Sequence, residues 1–275
     1  MKTSAQLKAL IRNISKEKNV EAEIILRNFV FERLLERVSI SKYRNNFILK
    51  GGILIAAIVG IDTRTTMDLD AVIKGRPLTE QEVKAIIGDL LNIAIEDNVK
   101  FTLRNIEEIR EESEYPGYRV SIDTVFDKTK QTIKVDIATG DLITPNEIEF
   151  NYKLMFDNRT ISILTYNIET ILAEKFETVI SRGVANSRMR DFYDIYILTT
   201  TQGYNEDLLR ESIKNTIKRR KTETQMADAE NVIEKVALNA DMGVLWQRYR
   251  KKYSYAKDIE WEKVIFVLKK LATII

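Results

Sequence analysis

Apolar residues fall at helical spacing near the start of the chain, with Leu7, Leu10, Ile11 and Ile14 in one group and Ile24, Ile25, Phe29, Phe31, Leu34 and Leu35 in the next. This spacing predicts two helices between Ala5 and Arg37. The period then changes. Val99, Phe101 and Leu103 alternate with Lys100 and Thr102, and Val120 with Ile122, then Ile133, Val135 and Ile137, keep the same two-residue beat, as strands with one buried face do. Asp127-Lys128-Thr129-Lys130 reads as the hairpin turn between the last two. Met67 to Ile73 is a further strand candidate, with a helix predicted from Thr79 to Ile95. Beyond Asn167 helical spacing dominates, in Ile168 to Ile180, Met189 to Thr199, Glu206 to Arg220, Glu223 to Leu238 and Trp261 to Ile275. The expected fold is α+β: a mixed or antiparallel sheet flanked by helices in residues 1–165, then a helical C-terminal domain in residues 166–275.

Composition narrows the chemistry. The chain has 275 residues, 44% of them hydrophobic, and its 43 Lys and Arg nearly balance 41 Asp and Glu, so a polyanion site has to be a local patch. It has no His and no Cys, which removes thiol nucleophiles, imidazole acid–base chemistry and the usual zinc sites. Carboxylates, Lys, Arg and hydroxyls are left, and they suit a hard, oxygen-seeking ion. The uncharged apolar run from Ile53 to Val59 is far short of the about 20 residues a membrane helix needs, and the N-terminus lacks a signal-peptide apolar region. A cytoplasmic protein without a membrane partner is expected.

The sharpest constellation is Lys50-Gly51-Gly52, an apolar helix-like stretch, then Arg64-Thr65-Thr66-Met67-Asp68-Leu69-Asp70. Residues two apart on a strand share a side, so Asp68 and Asp70 would offer two carboxylates to one point while Met67, Leu69 and Ala71 face the core. Solvated strand edges also carry Asp-x-Asp, but here the glycine pair, Arg64 and the hydroxyls of Thr65 and Thr66 stand upstream. Gly51 and Gly52 would let backbone N–H groups approach a triphosphate at a helix start. A third carboxylate for two-metal chemistry is expected at Asp136, on the polar face of its strand with Lys134; Asp123 on the neighbouring strand competes for the role.

Further along, Lys175 falls within the apolar stripe of Ile168, Ile171, Leu172, Phe176 and Val179. Burying an ammonium is costly without a partner, although a lysine at the edge of a stripe can also reach out to water. Asp191 shares a helix face with Ile195 and Leu198, and Asp194 lies at its flank. Lys175 and Asp191 are therefore expected to meet where their helices pack. Lys214, Lys218, Arg219, Arg220 and Lys221, with Trp246 to Tyr253, mix cations and aromatics. Such a surface suits RNA, or equally a solvated helix face with its rings turned to the core.

Together, Phe47-Ile48-Leu49-Lys50-Gly51-Gly52, Arg64-x-Thr66-x-Asp68-Leu69-Asp70, Ala173-Glu174-Lys175 and Arg190-Asp191-x-x-Asp194-Ile195-Tyr196 resemble the AbiEii/AbiGii family of nucleotidyltransferase toxins, within the DNA polymerase β-like nucleotidyltransferase group. The resemblance implies a nucleotidyltransferase-type sheet, a helical domain closing the nucleotide site, Mg²⁺ or Mn²⁺, and a nucleoside triphosphate substrate. It also implies an RNA acceptor, with tRNA the expected one, and a cognate antitoxin that need not touch the toxin. On this resemblance Asp68 and Asp70 bind metal, Gly51 and Gly52 contact phosphates, Lys175 contacts the nucleotide and Asp191 completes the site. Lys50, Arg64 and Asp194 are expected to border the nucleotide. The wider group often has Gly-Ser where this chain has Gly-Gly, so the hydroxyl is missing or comes from Thr65 or Thr66. Two other functions keep the site: modification of a protein hydroxyl, and nucleotide binding without turnover.

Overall fold

The computed structural model describes residues 3–76, 79–109 and 117–275. The chain divides into two compact units, one of residues 1–141 with 147–165 and the other of residues 142–146 with 166–275.

The first unit opens with α1 (Ser4–Lys18) and α2 (Ala22–Ser39), the predicted helical pair. Thr3 caps α1 by accepting the Gln6 N–H, and the Gln6 side chain accepts the Thr3 N–H in return, a reciprocal box that satisfies two otherwise unpaired donors. Asn19, at φ 51, ends it. There follow β1 (Phe47–Lys50), α3 (Gly51–Val59), β2 (Leu69–Ile73), α4 (Glu80–Leu91), β3 (Val99–Ile109), β4 (Gly117–Phe126), β5 (Thr129–Ala138), β6 (Ile148–Lys153) and β7 (Thr160–Thr165). The strands form one sheet in the order β3-β4-β5-β2-β1-β7-β6. It is mixed: β2 runs parallel to β5, and β1 parallel to β7, while the other pairs are antiparallel.

Several boundaries depart from the sequence reading for local reasons. β2 starts at Leu69, not Met67, because the ladder carbonyls are already used: the Thr66 hydroxyl donates to Asp68 O at 3.2 Å and Arg27 donates to Met67 O at 3.2 Å. The hairpin turn is tighter than expected. Phe126 pairs with Thr129, so Asp127 and Lys128 alone make the loop, with Asp127 at φ 50. α4 stops at Leu91, where the Asn92 and Ile93 N–H groups fold back onto Leu90 O. β1, β6 and β7 had no clear signal. Phe47, Ile48 and Leu49 are all buried, so β1 shows no alternation, and β6 is an edge strand with Tyr152 as its one buried residue.

The second unit is helical: α5 (Ile168–Arg182), a 3-10 turn (Gly183–Ala185), α6 (Met189–Thr201), α7 (Glu206–Arg220), α8 (Glu223–Ala227), α9 (Ala229–Leu238), α10 (Ala240–Lys252), a 3-10 turn (Ser254–Ala256) and α11 (Trp261–Ala272). Asn167 caps α5 by accepting the Thr170 N–H at 2.8 Å and donates to Thr144 O at 2.7 Å, which ties residues 142–146 to this unit. The predicted helix from Glu223 to Leu238 is two helices, broken at Asp228. The rings of the basic-aromatic stretch face inward: Trp246 and Tyr249 are buried and stacked, and the Trp246 indole donates to Ile259 O at 2.9 Å. Arg220 is also committed, bridging to buried Glu177. Trp246 and Tyr249 thus serve packing, while Tyr253 at the end of the stretch is half-buried. No helix among the described residues is long and apolar enough to cross a membrane.

α2 carries an unusual load for a core helix. Glu32, Arg33, Glu36 and Arg37 are each at most 6% exposed. Arg37 clamps Asp97 at 2.6 and 3.1 Å, and Arg33 pairs with Glu36 at 2.7 Å. Glu32 accepts the Met155 N–H on both oxygens at 3.0 Å, with Arg33 3.9 Å away. Burial outweighs these partners and pushes Glu32 up from 4.5 to about 8. The folded chain thus holds this proton more tightly than the unfolded one. Its contribution to stability is complete below the ordinary carboxylate value and is lost as pH rises toward about 8. Glu32→Gln is expected to remove that loss: in urea titrations wild type should shed about 2–4 kcal/mol more than the variant between pH 4.5 and 8. Identical pH slopes would contradict a neutral Glu32.

Candidate active site

Strand register assembles the site. Lys50 on β1 pairs with Asp70 on β2, Asp70 pairs with Asp136 on β5, and Asp136 pairs with Arg119 on β4. Registered residues point to the same face of a sheet, so these four charges stand in one row, the two acids between the two cations, and Glu107 on β3, which pairs with Arg119, extends it to a fifth strand. Leu69, Ala71, Val135 and Ile137 fill the opposite face and are buried. Asp68 lies just before β2, close enough that its charge acts on both Asp70 and Arg119. Asp123 stands elsewhere, paired with Thr132 and hydrogen-bonded to its hydroxyl at 2.7 Å. Asp136 is therefore the acid beside Asp70.

The turn from β1 into α3 explains the glycine pair. There is no loop between the two elements, and Gly51 makes the change of direction at φ 69, a conformation that costs a side-chain-bearing residue dearly. A Cβ at Gly51 would also lie 2.1 Å from Asp70 Oδ2, and one at Gly52 would lie 2.6 Å from Thr66 Oγ1. The Gly52 N–H reaches the Asp70 carboxylate. Even so, Asp70 is held above its ordinary value, chiefly by burial and then by the charges of Asp136 and Asp68, against the pull of Lys50 and this amide. Lys50 in turn bridges to Asp141.

Arg119 grips Asp136 with two parallel bonds, Nε to Oδ1 at 2.8 Å and Nη2 to Oδ2 at 2.7 Å. That fork holds the guanidinium still more firmly protonated, with Asp68 and Asp70 adding to the field. Neither Arg119 nor Asp141 was singled out in the sequence. Among the described residues, no group of three acidic side chains stands ready as a metal cage. Asp68 and Asp70 fit a hard cation by donor chemistry, since an added positive charge would relieve the repulsion now borne by Asp70. Asp136 fits only if its guanidinium partner leaves. Arg64, Thr65 and Thr66 are buried; Arg64 donates to the Thr65 carbonyl, so these three residues shape the loop that delivers Asp68.

In the helical unit, Lys175 on α5 and Asp191 on α6 meet as expected, Nζ to Oδ1 at 2.7 Å, and Asp194 joins them at 2.8 Å. Asp194 is fully buried. Burial pulls the Lys175 ammonium toward losing its proton, but the charges of Asp194 and Asp191 overcome that and leave it held above its usual range. Lys175 is thus a fixed cation and not a base. On the same helix as the two acids, Arg190 donates to the Tyr253 hydroxyl at 3.0 Å and lies over its ring.

A mixed sheet flanked by helices, with an Asp-x-Asp set against a Gly-Gly strand-to-helix turn and a helical region after it, is a nucleotidyltransferase-type fold. A crystal structure of an H. pylori protein provisionally described as a nucleotidyltransferase superposes with a TM-score of 0.50 at 15% identity, covering 93% of this chain and 99% of that one. JHP933 from Helicobacter pylori gives 0.49 at 15% identity, over 92% and 95% of the two chains. Residues 33–266 match the family model described as "Nucleotidyl transferase AbiEii toxin, Type IV TA system", and the chain belongs to that family. No curated protein matches it at a significant level.

Two substitutions test this geometry. Gly51→Ala is expected to cost about 2 kcal/mol or more in chemical denaturation, from strained φ and the clash with Asp70. Lys175→Met should cost about 3–5 kcal/mol, because it strands buried Asp194, and adding Asp194→Asn should recover part of it. A Lys175→Met chain as stable as wild type would show that the ion trio is not a buried unit.

Proposed function

We propose that this chain transfers a nucleoside monophosphate from a nucleoside triphosphate to an RNA acceptor, tRNA, releasing pyrophosphate, with Mg²⁺ or Mn²⁺ held by Asp68 and Asp70 and with Asp136 as the third ligand. The observation that carries this reading is the row in which Asp70 stands between Lys50 and Asp136, at a turn where only glycine fits. A divalent ion bound there would supply charge neutralisation on the phosphate oxygens.

The chain's own residues do the rest. The Gly52 amide and Lys50 aim the Asp70 carboxylate. The start of α3, where backbone N–H groups gather, favours the phosphates. Arg64, Thr65 and Thr66 position Asp68 through the loop they stiffen. Lys175, with Asp191 and Asp194, is assigned to the nucleotide by the family resemblance; an ammonium held this firmly in its charged form suits a phosphate and cannot serve as a general base. The acceptor is likewise carried by the family, as is a cognate antitoxin that acts with or without direct contact. A cytoplasmic location goes with an RNA acceptor.

Incubating the purified chain with each α-labelled nucleoside triphosphate, Mg²⁺ and total tRNA is expected to put label on RNA and release pyrophosphate. Asp70→Asn should lower that rate by about a hundredfold or more. A folded wild-type chain that labels no RNA with any of the triphosphates would sink the proposal, and label on protein instead would move the acceptor to a side-chain hydroxyl.

A further inference from the structure

Asp136 presents a difficulty that the proposed chemistry has to resolve. Both of its oxygens accept from the Arg119 fork, so the carboxylate beside Asp70 is committed to a guanidinium. We propose that Arg119 is a built-in counter-ion: it holds Asp136 while the row carries no divalent cation, and when one enters it releases Asp136 and turns to the phosphates of the triphosphate. The inference rests on the nucleotidyltransferase reading of this same site.

The contrast with Arg37 in α2 shows why this fork can open. Arg37 is 3% exposed and bonds the Arg33 and Val99 carbonyls as well as Asp97, so removing its carboxylate would leave it anchored. The Arg119 side chain is 36% exposed, and its hydrogen bonds among the described residues all go to Asp136. Among the described residues Asp136 is the one carboxylate it is bonded to, with Glu107 opposite it on β3. A doubly charged ion competes for that carboxylate with twice the charge of a guanidinium. Once displaced, Arg119 is a planar fork beside an arriving polyanion, and its geometry matches phosphate oxygens as well as it matched the carboxylate.

The exchange also explains what keeps the acids together without an ion. Asp68, Asp70 and Asp136 repel one another, and Lys50 is shared with Asp141, so Arg119 is the cation that balances the β5 side of the row. Such a device couples the two ligands: the ion frees the phosphate-binding group, and by reciprocity the triphosphate favours the ion.

The test is titration of the full chain with Mn²⁺ alone, and separately with a non-hydrolysable triphosphate analogue in the presence of Mn²⁺. Arg119→Gln is expected to bind Mn²⁺ about tenfold more tightly than wild type, yet to bind the analogue about tenfold more weakly. Arg119→Lys, which keeps the charge but not the fork, should fall between them on both measures. A purely structural bridge predicts unchanged or weaker Mn²⁺ binding in Arg119→Gln and would overturn the inference while leaving the transferase reading intact. If Arg119→Gln does not fold, a crystal structure of wild type with Mn²⁺ and the analogue decides: the Arg119 fork opened toward phosphate supports the exchange, and a fork still closed on Asp136 refutes it. Wild type that binds neither Mn²⁺ nor analogue removes the transferase reading, and this inference with it.

Discussion

Everything at the candidate site depends on strand register. Lys50, Asp70, Asp136 and Arg119 come from segments far apart in sequence, and only the pairing of β1 with β2, β2 with β5 and β5 with β4 sets them side by side. A slip of one residue in any pairing would turn one charge into the apolar face occupied by Leu69, Val135 and Ile137. The burial of those apolar residues therefore enforces the order of the charges, and the core specifies the site from behind.

The two units use buried charge in opposite ways. On α2, Glu32 lies where burial outweighs its partners, and its carboxyl is pushed well above the usual range. On α5, Lys175 is also largely buried, yet two carboxylates at 2.7 and 2.8 Å keep it charged. Number and distance of partners decide between these outcomes. Asp70 lies between the extremes, with one lysine and one amide set against burial and two acidic neighbours.

Much of this was legible in the chain. The two-residue beat located β3, β4 and β5, because β4 and β5 each have one buried face and β3 a half-buried one, and it placed Asp136 on the polar side of its strand. Lys175 and Asp191 were legible as a pair because each interrupts an apolar stripe, and an isolated buried charge is too costly to persist. β1 was hidden because it is buried on both faces and so loses its alternation, and β6 because an edge strand in water needs little apolar surface. Arg119 could not be found at all: in sequence it is one cation on an ordinary polar face, and its importance comes from a register that local pattern does not encode. The aromatics of α10 left two readings open, since composition alone does not say whether a ring stacks on a base or on Trp246.

The contact between Gly51 and Asp70 carries a last consequence. With the backbone of Gly51 lying directly against the Asp70 carboxylate, the length of the acid at position 70 is fixed by the main chain and not by whatever it binds. A glutamate there keeps the same charge but adds a methylene with nowhere to go. Aspartate and glutamate are thus not interchangeable at this position, and the choice between them is imposed by a residue that has no side chain.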